Sequence, residues 1–527
     1  MASEAPYKPD EKETTGYYYG FSGRPRLVAR TSTNRWCESQ HIEGWDTIRQ
    51  IPKRYAAITE DELISAWTRD VSQAIIEALK PCRWNYFFPI QTGLKHVQQP
   101  VNDTQPPEDT FKTVLLVAVE PGSLAWDAGL GIAQECLRVL ERFHILGVQV
   151  EILEGRYQHQ AASRQLEANI LPGYKSINKK VNERLLPMLS SLGYPITYLN
   201  NPTEMGTVGL HLRLGNKKTL YALTCRHVVH SDRTKTESYS ISEGQHRQHH
   251  IQGSDQSVSN CLGEIEFIQR EMKELREDYQ DRKDRWEQQY MHDEAFKHRR
   301  PLEEDDKTLE ELQNTIAYNE KITDCLEEIR EKEKRIIGHL AYHPILEVSS
   351  KRPEYLKDWA LIELDPAKFL GAPENKVYIA DGDMYLSDDD GFRTLRQRDP
   401  GVSRSTKTVA KRGMQTGLTR GTISGIEAIV RHPALGATDY TRELVIVPDR
   451  KHDKFSGKGD SGACVFDING YVVGLVVGST DGELETWQEG SPGVKERRHE
   501  TDVTFAAPIE SVFADIRDFT GEEPQLA

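Results

Sequence analysis

The sequence predicts a multidomain α+β protein. An α/β region comes first, an all-β region second, and a long antiparallel helical hairpin is inserted into the β region. Three observations carry this reading. Strand and helix patterns alternate over residues 31–195. From about residue 205, short apolar strands alternate with Gly and polar turns, the rhythm of a barrel or sandwich. Residues 264–337 break that rhythm: 38 of 74 side chains are charged. At one domain per roughly 100–200 residues, 527 residues allow several domains.

Residues 1–30 are polar, with Pro and Gly, and read as a flexible N-terminus. Residues 31–195 form the expected α/β accessory domain. Within it, 58–80 (ITEDELISAWTRDVSQAIIEALK) has helical spacing, with Thr59 as N-cap and Glu62 three residues on. The stretch 96–111 is a Pro-rich surface loop. TVLLVAV (113–119) is a buried strand, 126–146 a helix and 148–155 a second strand, which together suggest a βαβ crossover. Gly129 and Gly131 lack a third glycine and sit inside that helix, so they make a poor nucleotide loop.

The β region runs through TVGLHLRL, TLYALTC, DWALIEL, VAKRG, GTISGIEAIV, ELVIVP, ACVFD, YVVGLVVG and VTFAAPI. A helix over 508–519 follows, then a tail at 521–527. In the charged block, Ile265, Ile268, Met272, Leu275, Tyr279 and Trp286 keep 3–4 spacing, as do Leu309, Leu312, Ile316, Leu326 and Ile329. Pro301 lies between the runs, where a helix can begin but not continue. Two helices folded back on a narrow apolar seam follow. The charge is either the solvated face of this hairpin or a docking or self-association arm over 264–337.

Net charge is −15, the isoelectric point about 5.7 and mean hydropathy −0.63. Nucleic acid and anionic membrane are therefore not expected partners, because phosphate binding needs a basic face. No apolar run approaches the roughly 18–20 residues that span a bilayer, and the first residues do not read as a secretory signal. The seven cysteines are scattered and include no CxxC pair, which argues against a disulfide framework or a four-cysteine zinc site. A cytoplasmic location is expected, with the nucleus left open. His246, His249 and His250 cluster in a polar loop, but a loop cluster rarely closes a ligand set. No metal and no cofactor are expected.

The chemistry concentrates in KGDSGACVFDINGYVVGLVVG. A tight glycine-flanked turn at Gly459-Asp460-Ser461-Gly462 would expose a hydroxyl nucleophile, and the N–H groups of Gly459 and Ser461 would face a developing oxyanion. A serine hydroxyl needs a general base at hydrogen-bond distance. His227 ends the apolar strand YALTC, and Asp358 opens the strand DWALIEL, where a partly buried carboxylate needs a partner. Their bland readings are a turn histidine and a strand-edge cap.

The ordered set H-V-V, D-W-A-L-I-E-L and G-D-S-G resembles the trypsin/chymotrypsin-like serine peptidases of the PA clan. VAKRGMQTGLTRGTISGI and TFAAPIESVFADI resemble that family's later strands and terminal helix. The resemblance covers about 205–230 and 340–520. It implies a double β-barrel domain over 196–520, with two six-stranded barrels (195–370 and 371–507), a cleft between them, and a 231–350 insertion holding the hairpin. It implies that His227 is general base and then acid, that Asp358 orients it, that Ser461 attacks a carbonyl, and that Gly459 and Ser461 form the oxyanion hole. The implied substrate is a protein or peptide.

The departures are informative. His227 and Asp358 are 131 residues apart because of the arm. Cys225 precedes the histidine and Cys464 follows the nucleophile with no evident mate, the mark of an intracellular disulfide-free type. No obvious activation cleavage site stands just before the barrels, so Asp460 needs a local partner or the domain another trigger. By resemblance the specificity pocket has its base near Phe455 and Ser456 and a wall at Val476, Val477 and Gly478. With no acid at the base, an apolar or small residue is expected over Arg or Lys. A serine endopeptidase is the first functional reading. A protease-fold signalling or scaffold protein with an idle triad, recruiting partners through the arm, is the second. An esterase using the same triad is the third, although the chain order differs from that of the α/β-hydrolases.

Overall fold

The computed structural model describes residues 6–36, 52–94, 111–159, 191–229, 237–241, 247–253, 255–290, 302–351, 354–369, 372–379, 391–399, 406–432, 435, 439–449, 454–480 and 501–527. The Pro-rich loop up to residue 110, His246, Pro301 and the segment 489–500 fall outside them.

The described start of the chain is folded, against the expectation of a loose N-terminus. A helix, Glu11–Gly16, is capped by Asp10, whose side chain accepts from the Glu13 N–H at 2.8 Å. The aromatic run after it explains the order. Tyr17, Tyr18 and Phe21 are buried, and both phenols donate to buried Glu151, at 2.6 and 2.9 Å. The helix expected over 58–80 is two helices, Asp61–Ala66 and Arg69–Leu79, broken at Trp67. The cap is Thr68 rather than Thr59: the Thr68 hydroxyl accepts from the Val71 N–H, and no side chain caps the first helix.

The N-terminal sheet contains β1 (Leu27–Arg30), β2 (Lys53–Ala56), β3 (Trp84–Leu94), β4 (Lys112–Val119) and β5 (Gln149–Glu154). β4 and β5 are parallel, joined across the helix Trp126–Arg142 as the βαβ pattern requires. Leu115, Val117 and Val150 pack with Ile132, Cys136 and Leu140 of that helix. A two-residue strand, β6 (Gln158–His159), then leaves this sheet. The α/β region is continuous with the later barrel, because β3 pairs Phe87 with Ile429 and Tyr86 with Val430.

A second sheet contains β7 (Pro195–Tyr198), β8 (Asn201–Thr207), β9 (Leu210–Leu214), β10 (Tyr221–Thr224), β11 (Tyr239–Ser240), β12 (His249–Gln252), β13 (Ile336–His343) and β14 (Ala360–Leu364). Its strands do not close into the six-stranded ring expected for a first barrel: the described order ends on β8. β15 (Lys376–Tyr378) and β16 (Phe392–Thr394) form a separate pair. β11, β12 and β13 all lie within the expected 231–350 insertion, so much of that span is sheet. The inserted helices, Asp255–Tyr290 and Leu302–Glu328, stand between paired strands β12 and β13. Their seam joins Ile265 to Ile322 and Leu326, and Met272 to Leu312 and Ile316.

The remaining strands are β17 (Thr408–Gly413), β18 (Gly417–Ile423), β19 (Ala428–Val430), β20 (Thr441–Pro448), β21 (Cys464–Asp467), β22 (Val472–Ser479) and β23 (Thr504–Pro508). Six of them close as β17-β18-β20-β23-β22-β21, a complete barrel around Val409, Ile423, Ile446, Phe455, Val465 and Val476. The helix Ile509–Thr520 follows. The expected tail is instead β24 (Pro524–Leu526), which pairs with β9 and ties the C-terminus to the other sheet. No helix among the described residues is long and apolar enough to cross a membrane.

Candidate active site

The pairing of β10 with β14 brings two distant residues together. Thr224 faces Ala360 at the matching ends of these antiparallel strands. His227 leaves β10 three residues after Thr224, and Asp358 enters β14 two residues before Ala360, so both emerge at one end of the sheet. The helical arm joins this sheet between β12 and β13, and β13 begins where Gly338 pairs with Leu364, at the end of β14 away from Asp358, so the arm does not disturb this juncture. Trp359, fully buried, donates its indole N–H to Asp515 of the C-terminal helix at 2.7 Å and fixes the chain beside Asp358.

Ser461 comes from the closed barrel, at the turn before β21. The Gly462 N–H donates to the Val476 carbonyl, and the Ala463 N–H to the Asp460 carbonyl. Gly459 and Gly462 have φ of +110° and +88°, which a side chain rarely adopts. A Cβ on Gly462 would also come within 2.3 Å of the Thr224 hydroxyl and 2.4 Å of the Thr207 carbonyl. This contact seats the turn against the other sheet. The Thr207 N–H donates to the Ser461 carbonyl at 2.8 Å, and the Thr207 hydroxyl to the Gly459 carbonyl at 2.8 Å. Among the described residues, the Gly459 and Ser461 N–H groups have no backbone carbonyl partner.

The three side chains meet. His227 Nδ1 lies 2.6 Å from Asp358 Oδ2, and Asp358 Oδ1 accepts from the His227 backbone N–H at 3.0 Å. His227 Nε2 lies 2.7 Å from Ser461 Oγ. With Nδ1–H donating to Asp358, Nε2 is free to accept from the serine hydroxyl. All three side chains are buried. Burial alone would raise the Asp358 carboxyl, but His227 outweighs it and holds the group well below the usual carboxylate range.

Asp460 has the local partner that the sequence left unnamed. Lys411 of β17 places Nζ 2.9 Å from Asp460 Oδ2, with both side chains fully buried. The Gln415 and Gly457 N–H groups and the Thr416 hydroxyl also donate to the carboxylate, at 2.8, 3.0 and 2.6 Å. Burial lowers the Lys411 ammonium, and Asp460 opposes that shift. Lys411 in VAKRG reads as an ordinary strand residue; only the pairing of β17 with β21 brings it behind the turn that carries Ser461.

The residues expected to line a specificity pocket have varied surroundings. Phe455 and Val476 pack inside the closed barrel, and Val477 packs in the large core between the sheets. Ser456 Oγ lies 2.7 Å from Thr504 Oγ1, and Thr504 is a neighbour the sequence reading missed. Gly478 lies under the ring of Tyr157. Of the clustered histidines, His250 is buried and bonded to the Gln248 carbonyl, while its β12 neighbour His249 alternates to the other face. Instead, His159 of β6 joins the site: one ligating atom each from His159, His227 and Asp358 lie within 4.8 Å of one another.

No protein-family model and no curated protein matches the chain. Solved structures do. One is a glutamic-acid-specific serine protease described as using a histidine triad in substrate binding, 11% identical, covering 64% of this chain and all of its own, with a TM-score of 0.27. Another is Protease A of Thermobifida fusca, 12% identical, covering 64% of this chain and 99% of its own, with a TM-score of 0.28. At such scores the chain's own strand order and site geometry remain the description of its fold.

Proposed function

We propose that the chain is a serine endopeptidase that cleaves peptide bonds through an acyl-enzyme. The observation that carries this is the continuous hydrogen-bonded line from Asp358 through His227 to Ser461, at 2.6 and 2.7 Å. In this mechanism Ser461 Oγ attacks the scissile carbonyl as its proton passes to His227 Nε2. Asp358 keeps Nδ1–H oriented and stabilises the imidazolium. The Gly459 and Ser461 N–H groups receive the negative charge that forms on the carbonyl oxygen. The His227 proton then goes to the leaving amine, and a water activated by His227 hydrolyses the ester.

The buried Lys411–Asp460 pair supports a site that is set without an activation cleavage, since the carboxylate before the nucleophile already has its local partner. The helical arm buries its apolar seam within its own hairpin, so docking would use its charged faces. That favours an accessory role for the arm over an idle-triad scaffold built around it. The test is hydrolysis of a fluorogenic peptide library by the full chain and by Ser461→Ala. Turnover confined to the unsubstituted chain supports the proposal. Equal turnover by both, or none from a strap-released chain of the kind described next, contradicts it.

A further inference from the structure

We infer that residues 157–159 form a built-in strap that occupies the peptide-binding edge of β22 and must be displaced before substrate can pair there. This inference rests on the endopeptidase reading of the site and adds the element that regulates it.

Beyond Val476, β22 offers an edge beside Ser461, because the Val476 carbonyl accepts from the Gly462 N–H next to the nucleophile. An extended peptide would join such an edge by main-chain hydrogen bonds. In this structure β6 occupies it, antiparallel, with His159 opposite Gly478 and Gln158 opposite Ser479. From Gln158 to His159 the chain runs towards Val476. That is the direction in which a peptide antiparallel to β22 would deliver its next carbonyls to Ser461.

The side chains complete the occupation. The His159 ring lies 4.4 Å, centroid to centroid, from the His227 ring and covers the general base. The Tyr157 ring lies over Gly478, where a Cβ would meet it at 2.4 Å, and stacks on Phe505 of β23 at 5.7 Å. It also meets His432 edge-on at 4.5 Å. Tyr157 and His159 are both buried. These contacts link residues 68 to 348 positions apart in the chain, so local sequence does not impose them.

The strap is held from the N-terminal sheet. The Glu154 N–H donates to the Arg26 carbonyl, the Gly155 N–H to the Val119 carbonyl, and the Asn85 side chain to the Gly155 carbonyl at 2.7 Å. The α/β region thus delivers the strap to the cleft. As an intramolecular ligand it competes at an effective concentration on the order of millimolar. A free peptide must outbid that.

The test uses the full chain in a Ser461→Ala background, so that binding is read without catalysis. The probe is a fluorescein-labelled peptide of residues 152–159, ILEGRYQH, followed by fluorescence polarisation. The chain carrying Tyr157→Ala and His159→Ala should bind it at least tenfold more tightly than the chain with the strap intact. A second chain, Gln158→Cys with Ser479→Cys, should lose binding when the cross-strand pair is oxidised and regain it on reduction. Equal binding by strap-intact and strap-released chains, or no response to the cross-link, overturns the strap. Failure of the endopeptidase reading shows separately, as no fluorophosphonate adduct on chains that retain Ser461.

Discussion

Lys411 and Asp460 form a buried ion pair, 2.9 Å from Nζ to Oδ2, directly behind the turn that carries Ser461. An ion pair this dry stabilises little by itself, but each partner is costly when left alone. Lys411→Met should lower stability by about 3–5 kcal/mol, because it strands a buried carboxylate. The double variant Lys411→Met with Asp460→Asn should be less destabilised than that single one. Urea unfolding of the three chains checks both statements, and a Lys411→Met chain as stable as the parent contradicts them.

In the proposed mechanism Asp358 works by orientation, so the amide should be a poor substitute. Asp358→Asn keeps the shape but offers Nδ1 of His227 a mismatched partner. Turnover should fall by about 10⁴-fold with the fold intact. Steady-state hydrolysis and circular dichroism read the two parts. Because His227 holds the Asp358 carboxyl below its ordinary range, that group contributes stability above about pH 4 and loses it only in stronger acid.

Milder acid should act on two other buried side chains. Burial pushes His211 and His250 from an ordinary 6.5 down to about 4. Each stays neutral in the fold while the unfolded chain takes up a proton. Their stabilisation is therefore complete above pH 6.5 and is lost as pH falls towards 4, on the order of 3 kcal/mol each. Unfolding free energies between pH 7.5 and 4 should decline across that window, and His250→Leu should make the decline shallower. A flat profile would remove this account.

The site was legible in the sequence to the extent that its groups sit on local patterns. A histidine after an apolar strand, an aspartate opening another and a serine in a glycine turn are each visible within ten residues. What joins them is not: the register of β10 against β14 and the seat of Gly462 on Thr207 and Thr224 are long-range contacts. Lys411 was invisible for the same reason, as was β6, whose partner strand lies over 300 residues away. The N-terminus misled because its polar composition hid the Tyr17–Tyr18–Phe21 cluster around Glu151. The helix at 58–80 misled because periodicity carried through Trp67, where the backbone turns and Thr68 starts a new helix. The helical arm was legible as a seam. Its exact seat between β12 and β13 was not, because the four residues of β12 look like loop and its pairing with β13 is a long-range contact.

The central claim is that His227 and Asp358 activate Ser461. Incubation with a small alkyl fluorophosphonate, followed by peptide mass mapping, tests it most directly, because the reagent needs the nucleophile and not the β22 edge. The account predicts a single phosphonyl adduct on Ser461, absent from Ser461→Ala and strongly slowed in Asp358→Asn. A folded chain that gains no adduct on Ser461, with the strap intact or released by Tyr157→Ala and His159→Ala, would contradict it.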